Sequence, residues 1–306
     1  MYRLFPLILL LLTATVACRH RPPAEPRKYL FLGHPYAWSG SGDRMDARVE
    51  RLPFDDYDQI WLGGDVCART TERQSTLGHL DSLLGIRAGK VHWAWGNHDE
   101  KFGHPEYITR RTGRPSYYAA YRDGLCMLVL NTNLFQWPSA HPGDSICGAL
   151  EEQYELVRRL ADTIRESSHL VVLHHYGLLT SEQTAGRYAM DTVFNYYQPG
   201  LKVRCEPPTD TFANRIYPLL ARVQKKGVQV VCVGGDMGMR AKKFAFRTGE
   251  GIWFLGAGIN NGVPEWHRPD YLTNFDPDQL LIFRHWPERG KLEWEFVELG
   301  EIGNGE

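Results

Sequence analysis

Excess charge of either sign is absent from this sequence: 35 Lys and Arg stand against 36 Asp and Glu. No bulk field therefore draws it to nucleic acid or to an anionic membrane surface, and a nuclease has no basic surplus with which to neutralise phosphates. Internal repeats and a second-domain boundary are also missing, so residues 28–300 read as one domain followed by a short tail, 301–306. The apolar run at the amino end, Leu4 to Leu12, is short for a membrane span, which takes about 20 residues. What is present is ordinary globular composition, 43% apolar and 23% charged. Any partner must be read from a site, not from bulk properties.

Residues 1–17 have the form of a targeting segment: Arg3 as the positive end, an apolar stretch, then small residues before Cys18. Thr15-Val16-Ala17-Cys18 resembles a bacterial lipobox with Thr where Leu is usual. On that reading Cys18 is lipidated and the domain sits in the periplasm or cell envelope, held to a membrane by a proline-containing tether, 18–27. A plain secretory signal and a single anchoring helix are the alternatives. Cys67, Cys126 and Cys232 lie in or beside apolar runs and read as buried thiols. Cys147 and Cys205 sit in polar segments, where an oxidising compartment allows pairing that spacing alone does not decide.

Chemistry is concentrated where short apolar runs stop. Tyr29-Leu-Phe-Leu-Gly-His34, Ile60-Trp-Leu-Gly-Gly-Asp65, Val91-His-Trp-Ala-Trp-Gly-Asn-His-Asp99, Leu170-Val-Val-Leu-His-His175 and Val228-Gln-Val-Val-Cys-Val-Gly-Gly-Asp236 share one grammar. Each run is too short for a buried helix and ends at Gly, His or Asp. Runs apolar on both faces suit central, doubly covered strands, and such sheets place ligands beyond the carboxyl ends of their strands. Five ends thus deliver His34, Asp65, Asn97 with His98, His174 with His175, and Asp236 to one rim.

Gly64-Asp65, Gly96-Asn97-His98-Asp99, His174-His175 and Gly235-Asp236, in that order, resemble the motifs of the calcineurin-like metallophosphoesterases. The resemblance implies an α/β fold, a four-layer α-β-β-α sandwich of mixed sheets covered by helices. It implies hydrolysis of a small phosphorylated substrate, a mono- or diester, by metal-activated hydroxide formed as a metal lowers the pKa of water to roughly 7. Asp65 would bridge two metals, with Asn97, His174 and Asp236 completing one of them and His34 serving the other. His98 would stabilise the developing phosphate charge and protonate the leaving oxygen, with Asp99 holding its tautomer; His175 reads as wall. The mixed N/O donor set suits one or two ions of Mn, Fe or Zn.

Two departures from the family pattern are plain. Its first motif, Asp-x-His, here reads His34-Pro35-Tyr36; its last, Gly-His-x-His, reads Gly235-Asp236-Met237-Gly238. A second metal then needs water, Asp43, His175 or His267, or the centre runs on one ion. The same departures keep open a non-catalytic binding lipoprotein on a degenerate metallophosphoesterase fold.

Between the motifs, apolar spacing predicts helices over 43–52 (Met45, Val49, Leu52), 75–84, 148–167 and 212–226, the last kinked near Pro218. Asp123-Gly124 predicts a two-residue hairpin, and a second hairpin is expected over 280–299. The aromatic-rich segment from Tyr176 to Asp210 reads as a lid or specificity wall. His79, His92, His141, His169 and His285 fall outside the strand-end pattern and receive no role.

Overall fold

The structure is a computed structural model that describes residues 25–37, 40–136, 144–178, 212–236, 243–259 and 277–302. Along the chain come β1 (Arg27–Leu32), β2 (Gln59–Leu62), α1 (Gln74–Leu84), β3 (Val91–Trp93), α2 (Asn97–Lys101), α3 (Glu106–Thr112), β4 (Tyr118–Arg122), β5 (Leu125–Val129), α4 (Asn133–Gln136) and α5 (Asp144–Thr163). They continue with β6 (His169–His174), α6 (Phe212–Lys225), β7 (Gln229–Gly234), β8 (Lys243–Arg247), β9 (Trp253–Ala257), β10 (Gln279–Trp286) and β11 (Lys291–Glu298). Two sheets result, ordered β11-β10-β1-β2-β3 and β4-β5-β6-β7-β9-β8. In the first, β1, β2 and β3 run parallel out to the β3 edge while β10 and β11 pair antiparallel; in the second, β5, β6, β7 and β9 run parallel and antiparallel β4 and β8 close the edges.

Strand parity builds the layers, because successive side chains point to opposite faces. From β1, Tyr29 and Phe31 enter the core between the sheets, as do Val171 and Leu173 of β6 and Val231 and Val233 of β7. Leu170, Val172, Val230 and Cys232 face outward, onto α5 and α6. Leu30, Leu32, Ile60 and Leu62 pack outward against Leu77, Leu80 and Leu84 of α1 and Ile108 of α3. Helix, sheet, sheet, helix is the four-layer α/β sandwich. At the centre Trp61 is fully buried, its ring centroid 5.1 Å from Tyr29 and 4.6 Å from Phe283. Burying one such large apolar side chain stabilises by roughly 1.5–3 kcal/mol.

Local expectations meet mixed outcomes. The Asp123-Gly124 hairpin forms with φ of 54° and 76°, positive at both central positions as a type I′ turn requires. Helix α6 runs through Pro218 and stops before Gly227, whose φ is 89°. The helix expected over 43–52 does not form. Residues 35–37 and 44–46 pair instead, through Ala37 N–H to Arg44 O and Asp46 N–H to Pro35 O. The Asp46 carboxylate then takes the Arg48 N–H, leaving only a 3-10 turn at Val49–Arg51. Met45, Val49 and Leu52 are buried all the same; their spacing marks burial, not helix.

Residues 1–24 and 179–211 lie outside the described residues, and with them the targeting segment, Cys18, Cys205 and most of the expected lid; so do Gly238 and His267. Cys147 is disulfide-bonded, and Cys67, Cys126 and Cys232 are buried free thiols. No described helix is long and apolar enough to cross a membrane.

Candidate metal centre

The carboxyl ends of β1, β2, β6 and β7 converge because glycines let two backbones touch. Gly63 and Gly235 lie so close that a Cβ on either would overlap the other's main chain. With no side chains between them, the two sheets meet at the rim, and the next residues along, His34, Asp65 and Asp236, are buried together. His34 and Asp65 hold φ of 53° and 52°, uncommon away from Gly, and these turns aim both side chains back over the sheet edge.

The centre itself is compact. His34 Nε2 lies 2.9 Å from Asp65 Oδ2 and 3.0 Å from Asp236 Oδ1. On the opposite oxygens, His175 Nε2 lies 3.6 Å from Asp65 Oδ1 and 3.7 Å from Asp236 Oδ2, and 3.3 Å from Asn97 Oδ1. The Tyr176 hydroxyl donates to that same Asn97 oxygen at 2.8 Å. Burial works against a charged His34, but Asp65 and Asp236 outweigh it and hold its pKa at about 10. Burial likewise disfavours ionised Asp65, yet His175 and His34 bring it below the ordinary carboxylate range.

The structure places His175, not His174, among the donors, reversing the sequence expectation for that pair. Parity gives the reason: His174 continues the outward face of Leu170 and Val172, whereas His175 continues the inner face of Val171 and Leu173. His174 donates Nδ1–H to Tyr176 O at 2.7 Å, and burial pushes its pKa down to about 3. His175 donates Nδ1–H to Gly63 O at 2.7 Å. In the neutral ring, that leaves the Nε2 lone pair directed at the acids and Asn97, the tautomer a metal ligand needs. Counting alternate residues from Leu173 was the available signal.

Asp99 is also reassigned by the geometry. It does not hold His98, whose Nδ1–H is donated at 2.8 Å to Ala68 O. The Asp99 carboxylate accepts from five groups: Asp65 N–H, Gly96 N–H and Trp93 Nε1–H on one oxygen, and Val66 N–H and the Thr70 hydroxyl on the other. It therefore fastens the β2 loop to the β3 loop, and the His98 N–H in turn reaches Asp65 Oδ1 at 2.7 Å. Burial, then the neighbouring Asp65, push the Asp99 carboxyl up. The next residue, Glu100, accepts at 2.6 Å from Asn131 Nδ2, and Asn131 N–H donates to Gln153 of α5. The His98 ring stacks on Tyr36, centroids 5.2 Å apart.

The donor set fits one divalent ion. His34, Asp65 and His175 offer ligand atoms within 4.8 Å of one another. An ion with tetrahedral bonds of about 2.1 Å sets its donors about 3.4 Å apart, close to the separations of His175 Nε2 from Asp65, Asp236 and Asn97. Two buried carboxylates facing imidazoles are an arrangement that a cation stabilises.

Comparisons with known proteins bear on the family and the fold. The family model for the calcineurin-like phosphoesterases matches residues 18–204. Among curated proteins none matches the chain in sequence. Among solved structures it is similar to a dimetal phosphatase from Danio rerio, at 11% identity, TM-score 0.55, covering 90% of this chain and 98% of that one. It is similar also to GAP50, the anchor in the inner membrane complex of Plasmodium, at 10% identity, TM-score 0.52, covering 92% and 87%. At such identity the likeness concerns the fold.

Proposed function

Because the chain belongs to the calcineurin-like phosphoesterase family, we propose that it is a metal-dependent phosphoric ester hydrolase acting on a small mono- or diester. The observation that carries this reading is the convergence of Asp65, Asn97, His175 and Asp236 on one buried point beside His98. When bound there, a divalent ion such as Mn, Fe or Zn supplies a Lewis acid for the phosphoryl oxygen and acidifies water. Asp65, Asp236, Asn97 and His175 would hold it. His98, with Nδ1–H committed to Ala68 O, presents Nε2 to the substrate side; its protonated form donates from that atom to the leaving oxygen and stabilises negative charge there. Tyr36 supports the ring face and limits its rotation. We place the enzyme in the cell envelope, lipid-anchored at Cys18, on the strength of the lipobox-like Thr15-Val16-Ala17-Cys18.

The test couples elemental analysis of purified protein to hydrolysis of p-nitrophenyl phosphate and its bis ester with added Mn. Bound metal and turnover that Asp65→Asn or Asn97→Ala abolishes are expected. Metal-free protein that turns over neither ester would instead favour a binding lipoprotein, a reading supported by His34 standing where the family carries Asp.

A further inference from the structure

We infer that Tyr176 is a positioning residue of the metal centre: its phenol proton sets which end of the Asn97 side-chain amide faces the ion. The inference rests on the hydrolase reading above and deepens it. An amide ligates through its oxygen, whereas its NH2 group only donates hydrogen bonds. The two ends are nearly equal in shape, so packing alone does not choose between them. Neighbouring donors and acceptors do.

Two neighbours compete for the choice. His175 Nε2 lies 3.3 Å from Asn97 Oδ1, and with its Nδ1–H given to Gly63 O the neutral ring turns a bare lone pair toward the amide. That lone pair draws the NH2 end, and one hydrogen bond between the two would occupy both ligands at once. Tyr176 acts in the opposite sense. Its hydroxyl donates to Asn97 Oδ1 at 2.8 Å, its only hydrogen-bond partner among the described residues. Turning the amide end for end would leave that proton without an acceptor on a buried side chain, where an orphan donor is costly. The phenol is itself held in place. Tyr176 N–H donates to the Thr132 hydroxyl at 3.0 Å and Tyr176 O accepts the His174 Nδ1–H at 2.7 Å, so both main-chain groups are fixed by buried side chains. The Tyr176 ring packs on His175, centroids 4.7 Å apart. His174, which the sequence pattern offers as a ligand, thus serves the centre from one step behind it.

Mn affinity of the full chain at pH 8, measured by chelator competition for Tyr176→Phe alone and combined with Asn97→Asp, tests this. A carboxylate presents oxygen at both ends and has no wrong orientation to adopt. Tyr176→Phe in the parent is expected to weaken Mn binding about 10–100-fold. In the Asn97→Asp background the same change should cost no more than about twofold, the scatter of independent sites. In the metal-free chain, the 15N resonance of His175 Nε2 should move upfield on Tyr176→Phe, the mark of a nitrogen that has accepted the amide hydrogen bond. Should Asn97→Asp not fold, that resonance decides alone. Equal losses of affinity in both backgrounds would mean that Tyr176 acts on the ion or on the fold directly, and would overturn the inference while leaving the hydrolase reading standing. Undiminished affinity in Tyr176→Phe, or an unmoved His175 resonance, would have the same result. A parent chain that binds no Mn would defeat the hydrolase reading first, and this inference with it.

Discussion

Replacing Asp99 with Asn keeps shape and removes one charge, and the consequences can be worked bond by bond. The amide oxygen can face only one of the two donor groups that the carboxylate now serves. Turned toward the N–H groups of Asp65, Gly96 and Trp93, it leaves its NH2 against Val66 N–H and the Thr70 hydroxyl. Thr70 can give its proton to Cys67 O instead, at 2.9 Å, but the Val66 N–H has no second acceptor to turn to. One buried orphan N–H costs roughly 1–3 kcal/mol, and three bonds change from charge-assisted to neutral, losing about half their strength. Against that, the variant no longer buries a charge beside Asp65. The net is a destabilisation of about 2–4 kcal/mol, a large part of the roughly 5–15 kcal/mol that holds a typical domain folded. Urea unfolding of Asp99→Asn beside the parent measures it, with turnover recorded on the folded fraction. A variant as stable as the parent but at least a hundredfold slower would refute this account and return Asp99 to the service of His98.

Other outcomes follow from the same coordinates. Chelation should lower stability by about 2.7 kcal/mol relative to protein held at a hundred times the metal dissociation constant, reversibly on adding metal back, as followed by thermal unfolding. His98→Gln should reduce turnover by about 10²–10⁴-fold with metal content unchanged, a combination that a structural role would not give. Burial depresses His92 to about 3 and His169 to about 4, below the ordinary 6.5, so the folded state binds fewer protons than the unfolded one between those values. Each contribution is therefore complete above pH 6.5 and is lost as pH falls toward 3 or 4, by up to about 1.4 kcal/mol per unit per group; unfolding free energy measured from pH 7 to 4 should show that slope, and His92→Gln should reduce it. Burial also pushes the Cys126 thiol up to about 12 and those of Cys67 and Cys232 upward, so iodoacetamide at pH 8 should leave all three unmodified until denaturant is added, as mass spectrometry would show.

The parallel strands were legible because their runs are apolar on both faces, and the rim was legible because each run stops at a group that can ligate. Legibility failed where two neighbouring residues had the same chemistry: His174 and His175 differ only in the face they inherit from Leu173, a matter of register. It failed for Asp99, since what a buried carboxylate accepts depends on which N–H groups another loop brings to it. The stripe Met45, Val49, Leu52 misled because a pairing between residues 35–37 and 44–46 was invisible in the spacing. Helix α3 and edge strand β8, with one and two buried side chains respectively, carry too little pattern to be seen.

The touching backbones of Gly63 and Gly235 also mean that the centre is a seam. Asp65 and Asn97 come from one half of the sandwich, His175 and Asp236 from the other, so an ion gripping all four acts as a clasp across the interior. Loosening the aromatic stack of Trp61, Tyr29 and Phe283, which touches no donor, should then weaken metal binding as surely as it weakens folding. Ion affinity thereby becomes a gauge of how tightly the two halves are pressed together.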